Sequence, residues 1–206
     1  SDGSALHLTV SRYFTPSGRC IQRDYTNAEA YEDDFTSRFK SGELQDQSKI
    51  KLVDTTEYYT AGGRVVYGGG GVMPDIFVPM DTVLFTTYYL KMRQKVAPFI
   101  FRYVENNKSN LESWKDEMAY LNDYEVSDEL FKEFLAYAEK DKSLKKRNNE
   151  ILTETTPDLK MHLKARLAKH LFDQTALHKV INFRDPMLKE ATQWIVGEKK
   201  LVEMVD

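Results

Sequence analysis

The sequence predicts an α+β protein, and three observations carry that prediction. Up to Asp81 short apolar stretches alternate in period two between turn residues, as half-buried strands do. Beyond Asp81 the apolar residues recur at helical spacing instead. Between the two regimes stands Gly68–Gly71, four glycines followed by Val72, Met73 and Pro74-Asp75-Ile76-Phe77-Val78-Pro79. Glycines in a row neither fill a core nor hold a helix, so they serve their dihedrals: a turn with positive φ, or the close approach of another backbone. Both prolines push the residue before them toward extended geometry, and the segment reads as turn, short strand, stop. The plain alternative is an ordinary glycine turn between two strands. The expected organisation is a β-rich region over 1–81, with an insertion at about 24–54, and a helical domain over 82–206.

Taken in order, Asp2-Gly3 signals a turn, and Leu6, Leu8 and Val10 then alternate with His7, Thr9 and Ser11 in a strand running to Phe14. His7 falls on the side away from the apolar face. Thr15-Pro16-Ser17-Gly18 has the chemistry of a tight turn, and Arg19-Cys20-Ile21-Gln22 is the returning strand of a hairpin. In the insertion, Ala28, Tyr31, Phe35 and Phe39 suggest a short amphipathic helix before a polar loop. Thr56–Thr60 and Arg64–Tyr67 flank Ala61-Gly62-Gly63 as a second hairpin.

The helical region begins with Val83–Val104, which Pro98 can kink or interrupt. Asn106–Asn110 is a break, and Leu111–Leu121 resumes with Leu111, Trp114, Met118 and Leu121 on one side. Ser127 with Asp128 and Glu129 opens another helix, whose stripe is Leu130, Phe131, Phe134, Leu135 and Ala138. Asp141–Asn149 is charged and expected at the surface. Pro157 suits the first turn of a helix carrying Leu159, Leu163, Leu167 and Leu171, and Pro186 opens one running toward Val205. Four or five helices result. Trp114, Phe131, Phe134, Trp194 and Ile195 either fill the bundle core or anchor self-association.

Composition narrows the function. With 41% hydrophobic and 12% aromatic residues the chain has ample material for a core. A net charge of -3, with 8 basic against 12 acidic residues through Asp81 and 21 against 20 beyond it, gives no pull toward nucleic acid. Cys20 is the single cysteine, so neither an intrachain disulfide nor a cysteine-rich metal site can form. No apolar run approaches the ~20 residues of a membrane span. Ser1 opens inside the turn-like SDGSAL, which reads as a piece of a longer chain.

The search for chemistry returns little. His162 and His170 are eight residues apart with Arg166 between them, an arrangement better suited to solvated or capping roles than to a metal. His178 is placed near a helix end, where a cationic ring suits the dipole. There is no HExxH, GxSxG, Walker loop or dinucleotide fingerprint. Tyr58, Tyr59 and Tyr67 near Arg64 can stack bases, but tyrosines on a hairpin are first of all strand formers.

Three ordered motifs add a resemblance. DGSALHLT (Asp2 to Thr9), TPSGRCI (Thr15 to Ile21) and GVMPDI (Gly71 to Ile76) resemble the C-terminal processing proteases, or tail-specific proteases. The insertion and GGGGVMPDIFVP are similar to their long-tailed members. The resemblance implies that the hairpins complete a protease core sheet and that the whole protein is a Ser/Lys serine endopeptidase of the periplasm or cell envelope. In such a dyad the Lys accepts the hydroxyl proton once its pKa is lowered. The family's Ser, Lys and orienting Gln, like its substrate-receiving PDZ domain, precede the DGSAL strand. Ser4, Ser11 and Ser17 are therefore not nucleophiles, and Lys40, Lys49 and Lys51 are not bases. The expectation is a non-catalytic C-terminal portion without cofactor or metal, structural, regulatory or dimerising through its helices or an exposed strand edge. The alternative is a protein-binding or assembly module with no peptidase activity.

Overall fold

The computed structural model describes residues 3–6, 8, 10–22, 28–52, 54–69, 71–111, 113–144 and 148–197. The chain forms two compact units, one running to Met80 and taking in the stretch from Trp194, the other Asp81–Gln193. It is mostly helical, with one small antiparallel sheet on the N-terminal side. At that level the α+β expectation holds.

In the first unit the Thr15–Gly18 turn closes as its chemistry requires. Gly18 N–H donates to Thr15 O (2.8 Å), Thr15 N–H to Arg19 O (2.9 Å), and Phe14 and Cys20 form a single antiparallel bridge. The strand expected toward Leu6 does not form among the described residues. Leu6, Leu8 and Val10 are 88%, 74% and 87% exposed, because a strand needs a neighbour for its N–H and C=O groups and this one has none. His7 lies outside the described residues. Two short helices occupy the insertion, α1 (Ala28–Glu32) and α2 (Asp34–Ser41), followed by a 3-10 turn at Gln47–Lys49. Tyr31 and Phe35 of the expected apolar stripe are exposed.

The second hairpin is present. Strands β1 (Glu57–Tyr59) and β2 (Val65–Tyr67) pair with Glu57 opposite Tyr67 and Tyr59 opposite Val65. The glycine run supplies the positive φ, whereas its close approach is to a side chain and not to another backbone. Gly69 and Gly71 take φ of 101° and 94°, and a Cβ on Gly68 would stand 2.4 Å from Asp54 Oδ2. Gly71 N–H donates to Ile21 O (2.7 Å) and Arg19 Nη1 to Tyr67 O (3.2 Å), so the run ties the two hairpin regions together. No strand follows over the described part of 72–79; Ile76, Phe77 and Val78 are half-buried in irregular backbone, beside an Arg64–Asp75 ion pair.

In the second unit Asp81 caps a 3-10 turn (Thr82–Phe85) and Thr86 caps α3 (Thr87–Asn106), which passes through Pro98 without interruption. After α4 (Lys108–Leu111) the helix expected to reach Leu121 is broken, because the Asp116 carboxylate accepts Ala119 N–H (2.8 Å) and starts α5 (Glu117–Asp123) afresh. That resetting turns Met118 outward. Ser127 caps α6 (Asp128–Ala138), and all five residues of its predicted stripe are buried.

The longest helix differs most from expectation. α7 spans Asn149–Leu171 behind an Asn148 cap, so Pro157 lies in its interior rather than its first turn. The proline deprives the Thr153 carbonyl of its helical donor. The turns around it are reinforced by side chains: Thr155 and Thr156 hydroxyls donate back to Ile151 O (2.7 Å) and Leu152 O (2.6 Å), and Arg184 Nη1 donates to Pro157 O (3.0 Å). Asp173 then caps α8 (Gln174–Asn182), and α9 (Pro186–Ile195) begins at its proline as expected.

The core lies where α3 packs on α7 and α6, and α7 on α8. Met92, Val96 and Ile100 from α3, Phe134 from α6, and Leu159 and Leu163 from α7 are at most 2% exposed. Each such side chain is worth about 1.5–3 kcal/mol of transfer free energy. Phe131 and Phe134 belong to this core and Trp114 packs at its margin; Ile195 is exposed. Within the charged 141–149 stretch Leu144 is fully buried, seated by a turn in which Asp141 accepts from Ser143 N–H and Oγ and pairs with Lys95 at 2.7 Å.

Candidate functional site

Two hollows in the helical unit gather chemistry. The first opens between α3, α7 and α8, with a volume of about 370 Å³. Arg93 on α3 and His162 and Arg166 on α7 line it, and Tyr89 and Asp158 stand four residues before Arg93 and His162 on the same two helices. The buried Tyr89 hydroxyl donates to Asp158 Oδ2, and His162 Nε2 stands 3.4 Å from the same oxygen. Burial, then the hydrogen bond and charge of Asp158, hold the Tyr89 hydroxyl well above its ordinary pKa, so it remains a donor. Burial also pushes His162 below the usual imidazole value; Asp158 opposes that shift, and Arg93 and Arg166 add to it. The imidazole is therefore neutral near pH 7.

Around this group the walls are divided. Arg93, Gln94, His162 and Arg166 supply polar atoms; Leu90, Val96, Leu177 and Ile181 supply carbon. Among the described residues no Ser, Thr, Cys or Lys lines the hollow.

The second hollow is a groove of about 880 Å³ between α5, α7 and the end of α8. Met118, Leu121, Met161 and Phe183 give it an apolar surface, and Phe183 is 90% exposed. Its cations are already engaged. Lys160 pairs with Asp128 (2.7 Å), Lys179 with Glu117 (2.8 Å), and Lys164 Nζ donates to Leu121 O (2.7 Å). Burial lowers the Lys164 ammonium from its usual value, with Glu125 and Asp123 opposing. Beneath the rim Tyr120 stacks on Tyr124 at 4.6 Å and donates to Lys164 O (2.9 Å); burial pushes Tyr124 up to about 12.

The residues singled out by sequence fall elsewhere or apart. Ser17 Oγ is 2.8 Å from Thr15 Oγ1 within its turn, and the Lys49 stem closes over Gly42. Among the described residues no group of three or more His, Cys, Asp and Glu is placed to hold a metal, and no helix is long and apolar enough to cross a membrane. His170 is exposed, with its ring 6.4 Å from that of Phe101. His178 sits in the middle of α8 rather than near its end, with Nε2 3.1 Å from Gln174 Nε2. Sequence reasoning placed His162 and Arg166 on one face but missed Tyr89, Arg93 and Asp158. The signal available was the repeat of four along each helix; nothing in it says which helix meets which.

Residues 87–173, from the start of α3 through α7, match a family of unknown function (DUF8443). No curated protein and no solved structure matches the chain.

Proposed function

We propose that this chain is the C-terminal portion of a carboxyl-terminal processing serine peptidase of the cell envelope. It is non-catalytic by itself, with hairpins that complete the protease core sheet and a helical unit with a structural, regulatory or dimerising role. One observation carries the reading beyond the three motifs. The Leu6, Leu8, Val10 row has the alternation of a half-buried strand and stands exposed with no ladder partner among the described residues. A face of that kind is stabilised by about 25 cal/mol for each Å² it buries, and a core sheet supplies the cover. The Arg19 guanidinium agrees with this: it is buried, yet its Nε has no hydrogen-bond partner among the described residues.

The test compares peptidase activity on an unstructured protein substrate for the 206-residue chain, for the same chain joined to the sequence that precedes it in its gene, and for the joined form with the expected nucleophile changed to alanine. Activity in the joined form alone is the expected result. Activity of the 206-residue chain by itself would overturn the non-catalytic assignment, and silence in all three would overturn the peptidase.

A second reading has its own support. The family match covers helices only, from α3 through α7, as it would if the helical unit recurs apart from any protease sheet. On that reading the unit is a protein-binding or assembly module, and the silent outcome is the one it predicts.

A further inference from the structure

Three lysines of the helical unit stand in ion pairs. Lys95 has Asp141, Lys160 has Asp128 and Lys179 has Glu117. Arg93 and Arg166 are the contrast: they face one hollow, and among the described residues neither makes a hydrogen bond or ion pair. Both act on His162 in the same sense, so their fields converge there, and Asp158, which opposes them at the ring, accepts from Tyr89. Two uncompensated guanidiniums beside a neutral ring repel metal ions and attract an anion.

The walls say which anion. They are helix flanks, whose backbone N–H groups are spent within the helices, so only side chains can donate. This differs from the backbone cradles that hold phosphate. Guanidinium forks match a planar carboxylate two bonds at a time. The remainder of the lining is hydrocarbon from Leu90, Val96, Leu177 and Ile181, and about 370 Å³ lies in the range of small-molecule sites. We propose that this hollow binds a small organic carboxylate, its charged end held by Arg93 and Arg166 with help from Gln94 and His162, its apolar body against Leu177 and Ile181. The proposal does not depend on the peptidase assignment.

Hexanoate is the probe, titrated into the whole 206-residue chain by calorimetry, with the His162 ring followed by NMR. Saturable binding is expected, and the His162 titration moves upward, because the bound anion offsets the two arginines that depress it. Arg93→Gln and Arg166→Gln each weaken hexanoate by about tenfold or more. Arg93→Lys, which keeps charge without the fork, weakens it by less. Arg102→Gln, on the same helix but over the Tyr137 ring, leaves it unchanged. Circular dichroism checks that each variant is folded. The inference is overturned if hexanoate does not saturate, if 1-hexanol or inorganic phosphate binds as tightly, if the His162 titration stays in place, or if folded glutamine variants bind as the parent does.

Discussion

Between Asp81 and Gln193 the chain buries Ile100, Tyr120, Phe134, Leu144 and Leu159 completely, whereas up to Met80 the buried side chain among the described residues is Arg19, and Leu6 and Val10 stand in water. Both stretches carry apolar residues in regular patterns. What separates them is where the complement of each pattern lies. A helix satisfies its own backbone and needs only another helix to cover its stripe. A strand needs a neighbour on its edge and a layer on its face. Among the described residues the first unit pairs β1 with β2 and, by a single bridge, Phe14 with Cys20. Its remaining order comes from turns and from single ties such as Arg19 to Tyr67 O and Gly71 to Ile21 O.

The largest effect that can break this comparison comes from one core truncation set against one surface truncation. Phe134 is fully buried, with its ring 5.5 Å from that of Phe99 and 6.1 Å from that of Phe131. Phe134→Ala should cost about 3–5 kcal/mol in urea unfolding of the helical unit. Leu8→Ala should stay within about 0.5 kcal/mol, as an exposed substitution does. Similar costs for the two would mean that Leu8 is covered in solution.

Smaller substitutions test whether the helical unit is held by specific polar contacts as well as by packing. Tyr120→Phe removes the bond to Lys164 O but keeps the ring in its stack; a loss of about 0.5–1.5 kcal/mol is expected in the same unfolding experiment. Ser127→Ala removes the α6 cap, which accepts Leu130 N–H at 3.2 Å, and should cost about 1 kcal/mol. No change in either would leave packing as the sole support of α5 and α6.

How much of this was legible in sequence follows the same division. The α6 stripe, the Ser127 cap, the Thr15–Gly18 turn, the second hairpin and the positive φ of Gly69 and Gly71 are local matters of a few residues, and all are found. The strand expected to run to Phe14 is not found among the described residues beyond the Phe14–Cys20 bridge, since its pattern states which face is apolar but not whether anything covers it. Pro157 misled for the opposite reason. A proline marks a helix start when nothing else speaks, yet here the threonines before it and Arg184, 27 residues on, stabilise the interior of α7. Leu144 was lost in a charged stretch because its turn is built by Asp141 and Ser143. The Tyr89–Asp158–His162 group joins residues 69 apart, beyond the reach of any periodicity.

That group supplies the smallest and sharpest test, a dependence of the helical unit's stability on pH. The charged and titratable groups facing His162 are Tyr89 and Arg93 from α3 and Asp158 and Arg166 from α7; α8 presents Leu177 and Ile181. Burial, followed by the two arginines, outweighs Asp158 and leaves the folded-state pKa below the value of about 6.5 that an unfolded histidine has. Between those two values the unfolded chain binds a proton that the native chain does not. The contribution of His162 is therefore fully present above about pH 6.5 and is lost as the pH falls toward the folded-state pKa. The urea midpoint of the helical unit should decline over that window, and His162→Asn should flatten the decline. Parallel curves for parent and variant would show that His162 is solvated in both states. A decline that steepens in the variant would mean that groups other than His162 govern it.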